Sequence, residues 1–277
     1  MFHMPAFIVL TGSFSGRGDV LSKALRFAAL YVLAQTVFAL WYSYIEGGGA
    51  APVTYPVFAL WFLLAMPFWL LLTPLMLRFG IFAVPLSIVL ALLAGYVPQV
   101  GHNLSLSRCL VFLPFFVLGA QIGPEHLARL RMLPLAVAVI GLIGLLALSW
   151  MTIPESFASA LFLHKYSYTD LGLGGVYGPV WRIWALVLGF LAAAFIFAQV
   201  PDRQLPPFVE RIGKNTLPIY IFHTVIVGTL QRTKLLSQSP DSAAVIFGFS
   251  VTLLCLWGFS HPTFVHATRI LWSHPAR

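Results

Sequence analysis

The chain has 277 residues, of which 60% are hydrophobic and only 9% carry a charge. A soluble domain carries roughly 25% charged residues, so this composition excludes a soluble globular protein and indicates a surface that faces mostly lipid. The net charge of +8 does not indicate a nucleic-acid partner, because the basic residues stand mainly in short connections between apolar segments, as the positive-inside rule predicts.

Nine apolar segments are candidate transmembrane helices. Crossing a bilayer takes about 20 mostly apolar residues, and lipid forces each crossing segment to satisfy its own backbone as a helix. In chain order the segments span residues 2–15, 24–45, 56–77, 79–97, 109–123, 132–154, 183–201, 215–230 and 242–260. The sequence therefore predicts an all-α polytopic transmembrane bundle of about nine spans, in a single membrane domain over residues 1–277.

The basic residues are distributed unevenly between the two sides of such a bundle. Loops after the odd-numbered segments hold eleven of the sixteen Lys and Arg residues: Arg17, Lys23, Arg26, Arg78, Arg129, Arg131, Arg203, Arg211, Lys214, Arg269 and Arg277. The alternate loops hold the other five: Arg108, Lys165, Arg182, Arg232 and Lys234. The first set is therefore predicted to be cytoplasmic, with the C-terminus inside and Met1 outside. A chain that starts outside the membrane, directly in an apolar segment and with no leader, is difficult to insert. This predicts that one further span is missing upstream of Met1.

Signatures of common enzymes are absent from the sequence, which contains no HExxH, Walker A or GxSxG pattern. No pair of carboxylates lies inside an apolar segment, which disfavours a carboxylate proton relay of the transporter kind. We expect neither a metal site nor a bound cofactor.

Two histidines are candidate catalytic residues. His223 lies in the middle of segment 215–230, where an ionisable side chain is costly and by default a functional candidate. The alternative is a neutral imidazole that only forms a hydrogen bond between helices. His3 lies at the predicted outer mouth of the first segment.

Four basic residues at segment edges are candidate ligand contacts. Lys23 and Arg26 lie one helical turn apart, so both face the same way and suit a phosphate-rich ligand at the cytoplasmic surface. Arg108 precedes the run FLPFF, and Arg182 follows a loop rich in Tyr and Gly. For all four, the alternative is that the side chain only extends to the membrane surface and helps to orient the chain in the bilayer.

Six stretches, in chain order, resemble acyltransferase family 3, the bacterial integral membrane O-acyltransferases, and most closely its fucose 4-O-acetylase-like branch. They are FHMPAF at 2–7 with LTGSF at 10–14, the pair Lys23 and Arg26, LWFL at 60–63 with FW at 68–69, residues 108–119, Arg182, and residues 212–223 with Tyr220 and His223. The resemblance is collinear over residues 2–231. It implies a ten-helix domain, of which this chain lacks the first helix with its histidine, and Leu70 replaces an arginine common in the family.

The resemblance also implies acyl transfer from a cytoplasmic acyl-CoA, such as acetyl-CoA, to a hydroxyl of a cell-envelope glycan or lipid-linked sugar in the bacterial inner membrane. A neutral imidazole would act as general base, for which His223 and then His3 are the candidates. Lys23, Arg26, Arg108, Arg182 and Tyr220 would contact substrates. Without the first helix we expect little activity. A membrane transporter of a lipid or solute, or a degenerate paralogue, are the alternatives.

Overall fold

The computed structural model describes residues 3–16, 18–57, 59–100, 103–153, 160–200, 205–232, 241–264 and 266. The α-helices bounded within these residues are α1 (His3–Ser13), α2 (Val20–Glu46), α3 (Trp61–Leu77), α4 (Ala83–Leu93), α5 (Leu106–Arg129), α6 (Leu135–Thr152), α7 (Tyr177–Ala198), α8 (Pro207–Lys214), α9 (Thr216–Arg232) and α10 (Asp241–Ser260). Short 3-10 turns accompany several of them, and the described part of the chain contains no β-strand. The all-α prediction is confirmed.

Four helical stretches are long and apolar enough to cross a membrane by length and composition: Val20–Glu46, Leu106–Met132, Leu135–Thr152 and Tyr177–Ala198. Four shorter stretches are also apolar: Trp61–Leu77, Gly80–Tyr96, Thr216–Leu230 and Phe247–Ser260. These helices indicate a membrane protein, and the count of nine spans stays a prediction. Several residues used to predict topology lie outside the described residues: Phe2, Arg17, Pro154, Pro201, Arg203, Lys234, Arg269 and Arg277.

The chain separates into two compact units. The first comprises Met1–Val32, Thr54–Pro56 and Trp61–Asp202, and the second comprises Leu33–Val53, Val57–Leu60 and Arg203–Arg277. The helix α2 contributes residues to both. The prediction of a single membrane domain stays a prediction.

In the first unit, α1 packs closely on α5 because glycines stand at their crossing. A Cβ atom on Gly12 would overlap the carbonyl oxygen of Phe116, and one on Gly119 would overlap the carbonyl oxygen of Val9. Small residues allow such backbone approach between membrane helices. Gly16, which completes a GxxxG pattern with Gly12, has only open space around it, so the crossing pairs Gly12 with Gly119 on the other helix.

Aromatic side chains from α3 and α5 fill the space next to this crossing. The ring of Trp61 stacks on that of Phe112, with centroids 5.2 Å apart, and Trp69 lies 5.4 Å from Phe116. Trp69 is fully buried, and its indole Nε1 donates to the Cys109 carbonyl at 2.7 Å. The polar atom of this large ring is therefore satisfied, as a buried tryptophan requires.

In the second unit, α9 packs on the C-terminal part of α2 through Tyr42. A Cβ atom on Gly228 would overlap the Tyr42 hydroxyl, which donates to the Thr224 carbonyl at 3.1 Å. The guanidinium of Arg232 lies 3.9 Å from the Tyr42 ring centroid, and its Nε lies 2.7 Å from Glu46 Oε1. A glycine, a ring and an ion pair thus fix the register of these helices.

Candidate functional site

His223 lies on α9 with its side chain half-buried. Its Nδ1 is 2.9 Å from the carbonyl oxygen of Ile219, one turn earlier. A carbonyl can only accept a hydrogen bond, so in the neutral ring this contact holds the proton on Nδ1. Nε2 then keeps its lone pair, and it makes no hydrogen bond with the part of the chain that the structure describes. This arrangement suits a general base.

Tyr220 lies one turn before His223 on the same helix, and the centroids of the two rings are 5.8 Å apart. The Tyr220 hydroxyl donates to the carbonyl of Ala59. Tyr220 and His223 are therefore neighbours, and the tyrosine is held in place by a backbone acceptor in the same unit.

His3 is the first residue of α1 and has an exposed side chain. It belongs to the first unit, whereas His223 belongs to the second. Pro5, one half-turn along α1, is buried against Gly189 of α7, with 3.2 Å between the proline Cγ and a Cβ built on that glycine. The packed part of α1 therefore begins just after His3.

Asp19 caps α2 and so positions the basic pair. Its carboxylate accepts from the backbone N–H groups of Leu21 and Ser22, each at 3.1 Å, which satisfies donors that the helix start leaves open. The hydrogen bond from the Ser22 hydroxyl, and then these backbone bonds, lower the pKa of Asp19. In the first turns that follow, Lys23 Nζ donates to the Ser15 carbonyl at 3.2 Å, and the Arg26 side chain is exposed.

Arg182, near the start of α7, is a buried cation with an exposed fraction of 1%. One terminal nitrogen donates to the Tyr166 carbonyl at 2.9 Å and the other to the Ala91 carbonyl at 3.3 Å. Its guanidinium lies 4.6 Å from the centroid of the Tyr168 ring. No described carboxylate forms an ion pair with it, and its Nε has no hydrogen-bond partner among the described residues. The charge is thus solvated by carbonyls and an aromatic face.

The Tyr168 ring occupies a slot between two glycines. A Cβ on Gly95 or on Gly178 would overlap this ring, and the Tyr168 hydroxyl donates to the Leu92 carbonyl at 2.9 Å. The backbone N–H of Tyr168 also donates to the Gly95 carbonyl at 2.8 Å. Together with Arg182, these contacts fasten the loop before α7 to the end of α4.

His164 lies at the other end of the same loop and is buried, with an exposed fraction of 5% and a φ of +53°. Two residues at the start of α5 hold the backbone here: Ser107 Oγ donates to the His164 carbonyl at 2.8 Å, and Arg108 Nε donates to the Leu163 carbonyl at 2.9 Å. The imidazole packs edge-on against Phe112, with centroids 5.0 Å apart. Its Nδ1 has no hydrogen-bond partner among the described residues.

Burial, together with the positive charges of Arg182 and Arg108, lowers the pKa of His164 to about 3. His164 lies outside the four stretches of spanning length. Near neutral pH its ring is therefore uncharged. We call His164, Arg108 and Arg182 the His164 cluster.

The structure brings together some of the predicted residues. Arg108 and Arg182 both act on His164, His223 lies beside Tyr220, and Lys23 and Arg26 share the start of α2. His164 was not among the candidates predicted from the sequence, because it lies in a predicted loop and, like most histidines of this chain, outside the apolar segments. Its position next to Lys165, in the connection that leads to Arg182, was the available signal.

Metal ligation has no candidate within the described residues, where no group of three or more His, Cys, Asp or Glu side chains could hold an ion. The two cysteines, Cys109 and Cys255, are buried free thiols.

No protein-family model matches this chain. No curated protein and no solved structure matches it significantly either.

Proposed function

We propose that this chain is a membrane-bound O-acyltransferase, which transfers an acyl group from acyl-CoA to a hydroxyl of a cell-envelope glycan or a lipid-linked sugar. The apolar helices support a bilayer setting. The six collinear stretches that resemble acyltransferase family 3 support the reaction class. The observation that carries the proposal is His223, whose Nδ1 contact with Ile219 leaves Nε2 ready to accept a proton.

In the proposed step, Nε2 of His223 removes the proton of the acceptor hydroxyl as its oxygen attacks the thioester carbonyl carbon. A new C–O ester bond forms and the C–S bond breaks. The leaving CoA thiolate takes the proton back from the imidazolium, so that the ring returns to its neutral state. General-base assistance of this kind typically contributes about 10²–10⁴-fold to a rate.

Basic residues at helix ends have the chemistry to bind the donor. Lys23 and Arg26 are one turn apart behind the Asp19 cap, and such side chains make strong charge-assisted hydrogen bonds to phosphate oxygens. We assign them to the CoA phosphates. Tyr220 is assigned to the substrate side of His223 because their rings are neighbours. His3 is the second histidine candidate.

The setting that we propose is the bacterial inner membrane, with about nine spans and a cytoplasmic C-terminus. This arrangement puts the Lys23 and Arg26 end of α2 on the side where acyl-CoA is available. It rests on the distribution of the sixteen Lys and Arg residues.

Mass spectrometry of envelope glycans from a deletion strain tests the proposal. We expect acyl groups to be lost on deletion and restored by the wild-type gene, but not by His223→Gln. The matched control is His126→Gln, which changes an exposed histidine at the end of α5. An unchanged acylation pattern combined with altered uptake of a lipid or solute would contradict acyl transfer and favour the transporter.

A further inference from the structure

The loop that carries His164 concentrates positive charge in the first unit. Lys165 follows His164 directly, and its ammonium lies 4.7 Å from the centroid of the Tyr166 ring. It makes no hydrogen bond or ion pair with the residues that the structure describes, and its side chain is half-buried. Three cations, at positions 108, 165 and 182, thus belong to one loop and the helix starts that fasten it.

The charge of Arg182 is buried, and no carboxylate in the described part of the chain pairs with it. Two carbonyls accept hydrogen bonds from its terminal nitrogens and the Tyr168 ring lies against its guanidinium, so dipoles and not a described carboxylate surround the charge. A buried charge acts through a medium of low dielectric constant, where its field is felt more strongly than in water. Arg182 therefore adds positive potential to this loop, in which the described carboxylate, Asp170, accepts from the Ser167 N–H at 3.0 Å and the neutral His164 adds no charge.

Two buried nitrogens in the same region have no described hydrogen-bond partner, Nδ1 of His164 and Nε of Arg182. Buried polar atoms of native proteins nearly always have partners, so such exceptions call for an explanation. Protonated on Nδ1, the neutral His164 ring could donate a hydrogen bond to an oxygen atom.

From this arrangement we propose that Lys165, His164 and Arg108, in the field of the buried Arg182, form a binding site for a phosphate group. The ammonium of Lys165 supplies donors that make no hydrogen bond with a described residue, and Arg108 supplies a guanidinium held against the Trp61 ring at 5.1 Å. A phosphate monoester carries about −1.5 to −2 charges near neutral pH, which matches several cations better than a carboxylate does. The phosphate can be that of a lipid headgroup or a free one.

This site is separate from the proposed transfer step, because neither His223 nor the pair on α2 belongs to it. The ligand is therefore probed without acyl-CoA and without turnover. The full chain in detergent is titrated with short-chain phosphatidic acid, with inorganic phosphate, and with diacylglycerol as the uncharged comparison, and binding is followed by native mass spectrometry.

We expect phosphatidic acid to bind and diacylglycerol not to bind. The change Lys165→Gln should weaken binding about tenfold, the effect of one charge-assisted hydrogen bond, and Lys165→Arg should restore most of it. Lys214→Gln, at an exposed lysine of the second unit, should leave the affinity unchanged. Competition by inorganic phosphate would show that the phosphate alone suffices, whereas binding of phosphatidic acid without such competition would assign the site to a lipid-borne phosphate.

Equal affinity of wild type and Lys165→Gln would overturn the site. So would binding that is kept in Lys165→Gln but lost in the double change Lys23→Gln and Arg26→Gln, since the phosphate would then bind at α2. Because Lys165 is half-buried and makes no hydrogen bond with the described residues, its substitution tests the site without depending on the Arg182 packing.

Discussion

Arg182 fastens the loop before α7, and its removal should destabilise the first unit. The change Arg182→Gln breaks the bonds to the carbonyls of Ala91 and Tyr166 and removes the cation from the Tyr168 ring. We expect a loss of about 3 kcal/mol in stability, because buried carbonyls are left without donors. Thermal unfolding in detergent measures this loss.

Arg182→Lys should not rescue this loss, because an ammonium can neither reach two carbonyls as a planar fork nor stack on a ring in the same way. The control is Arg78→Gln at an exposed arginine. Equal unfolding temperatures for Arg182→Gln and Arg78→Gln would contradict the role assigned to Arg182.

Acid should destabilise the protein through His164. Its pKa is about 3 in the folded chain and about 6.5 when unfolded. Between these values the unfolded state binds more protons, so stability falls as the pH drops below about 6.5, by up to about 1.4 kcal/mol per pH unit. His164→Asn keeps a residue that tolerates the positive φ and removes the titration.

Unfolding temperatures of the wild type and of His164→Asn at pH 7 and pH 5 test this expectation. The wild type should lose more stability on acidification than the variant, and His126→Asn, at an exposed histidine, should behave like the wild type. Parallel losses in wild type and His164→Asn would show that the imidazole does not remain neutral in the fold.

Among the candidate site residues, the sequence predicted which ones are neighbours when they lie on the same helix. His223 and Tyr220 are neighbours because they are three residues apart on α9, and Lys23 and Arg26 share a face of α2 for the same reason. The environment of His164 depends on Arg108 and Arg182, which are far from it along the chain. Periodicity carries no information about such contacts.

At the scale of helices, the crossing of α1 and α5 should not tolerate a side chain at Gly12. The change Gly12→Ala places a methyl group on the Phe116 carbonyl oxygen, so the helices must move apart. We expect destabilisation of about 1–3 kcal/mol, as for other overpacked sites. Unfolding in detergent is the measurement.

Gly144→Ala is the matched control, because Gly144 lies within α6 and has no atom within 4 Å of a Cβ built on it. Alanine there should be neutral or should stabilise the helix by up to about 1 kcal/mol. If Gly12→Ala were as stable as Gly144→Ala, the close approach of α1 to α5 would be wrong.

Hydropathy located the helices well and their ends less well. The predicted segment 109–123 is part of a longer helix, Leu106–Arg129, which contains a break at Gly123, where φ is +67°. The segment 79–97 contains the helix Ala83–Leu93 between two 3-10 turns, Gly80–Phe82 and Ala94–Tyr96. The α-helix, the 3-10 turns and the helix break are all equally apolar, so hydropathy cannot show where one of them ends and the next begins.

For the whole molecule, charge bias predicts that the loops after segments seven and eight lie on opposite sides of the membrane from one another. Reporter fusions after Lys214 and after Lys234 test one such pair of positions, since a predicted span separates them. We expect the Lys214 fusion to report the cytoplasm and the Lys234 fusion the outer side. The same side for both would refute the nine-span topology.

The two units also bear on how the whole chain works. His223 belongs to the second unit, whereas Lys23, Arg26 and the His164 cluster belong to the first. The transfer that we propose uses His223 and the pair Lys23 and Arg26, so activity should depend on residues of each unit, whereas the His164 cluster is assigned to phosphate binding. Losing phosphate binding through Lys165→Gln while keeping acyl-CoA binding would show that the two sites act separately.

Release of CoA by the purified chain tests the central claim most directly. The full chain is offered acetyl-CoA and candidate glycan acceptors, and free thiol is followed with time for the wild type, His223→Gln and His126→Gln. The proposal predicts acceptor-dependent release that is equal in wild type and His126→Gln and falls about 10²–10⁴-fold in His223→Gln, as expected on loss of a general base. Acceptor-dependent release that is undiminished in His223→Gln would contradict it.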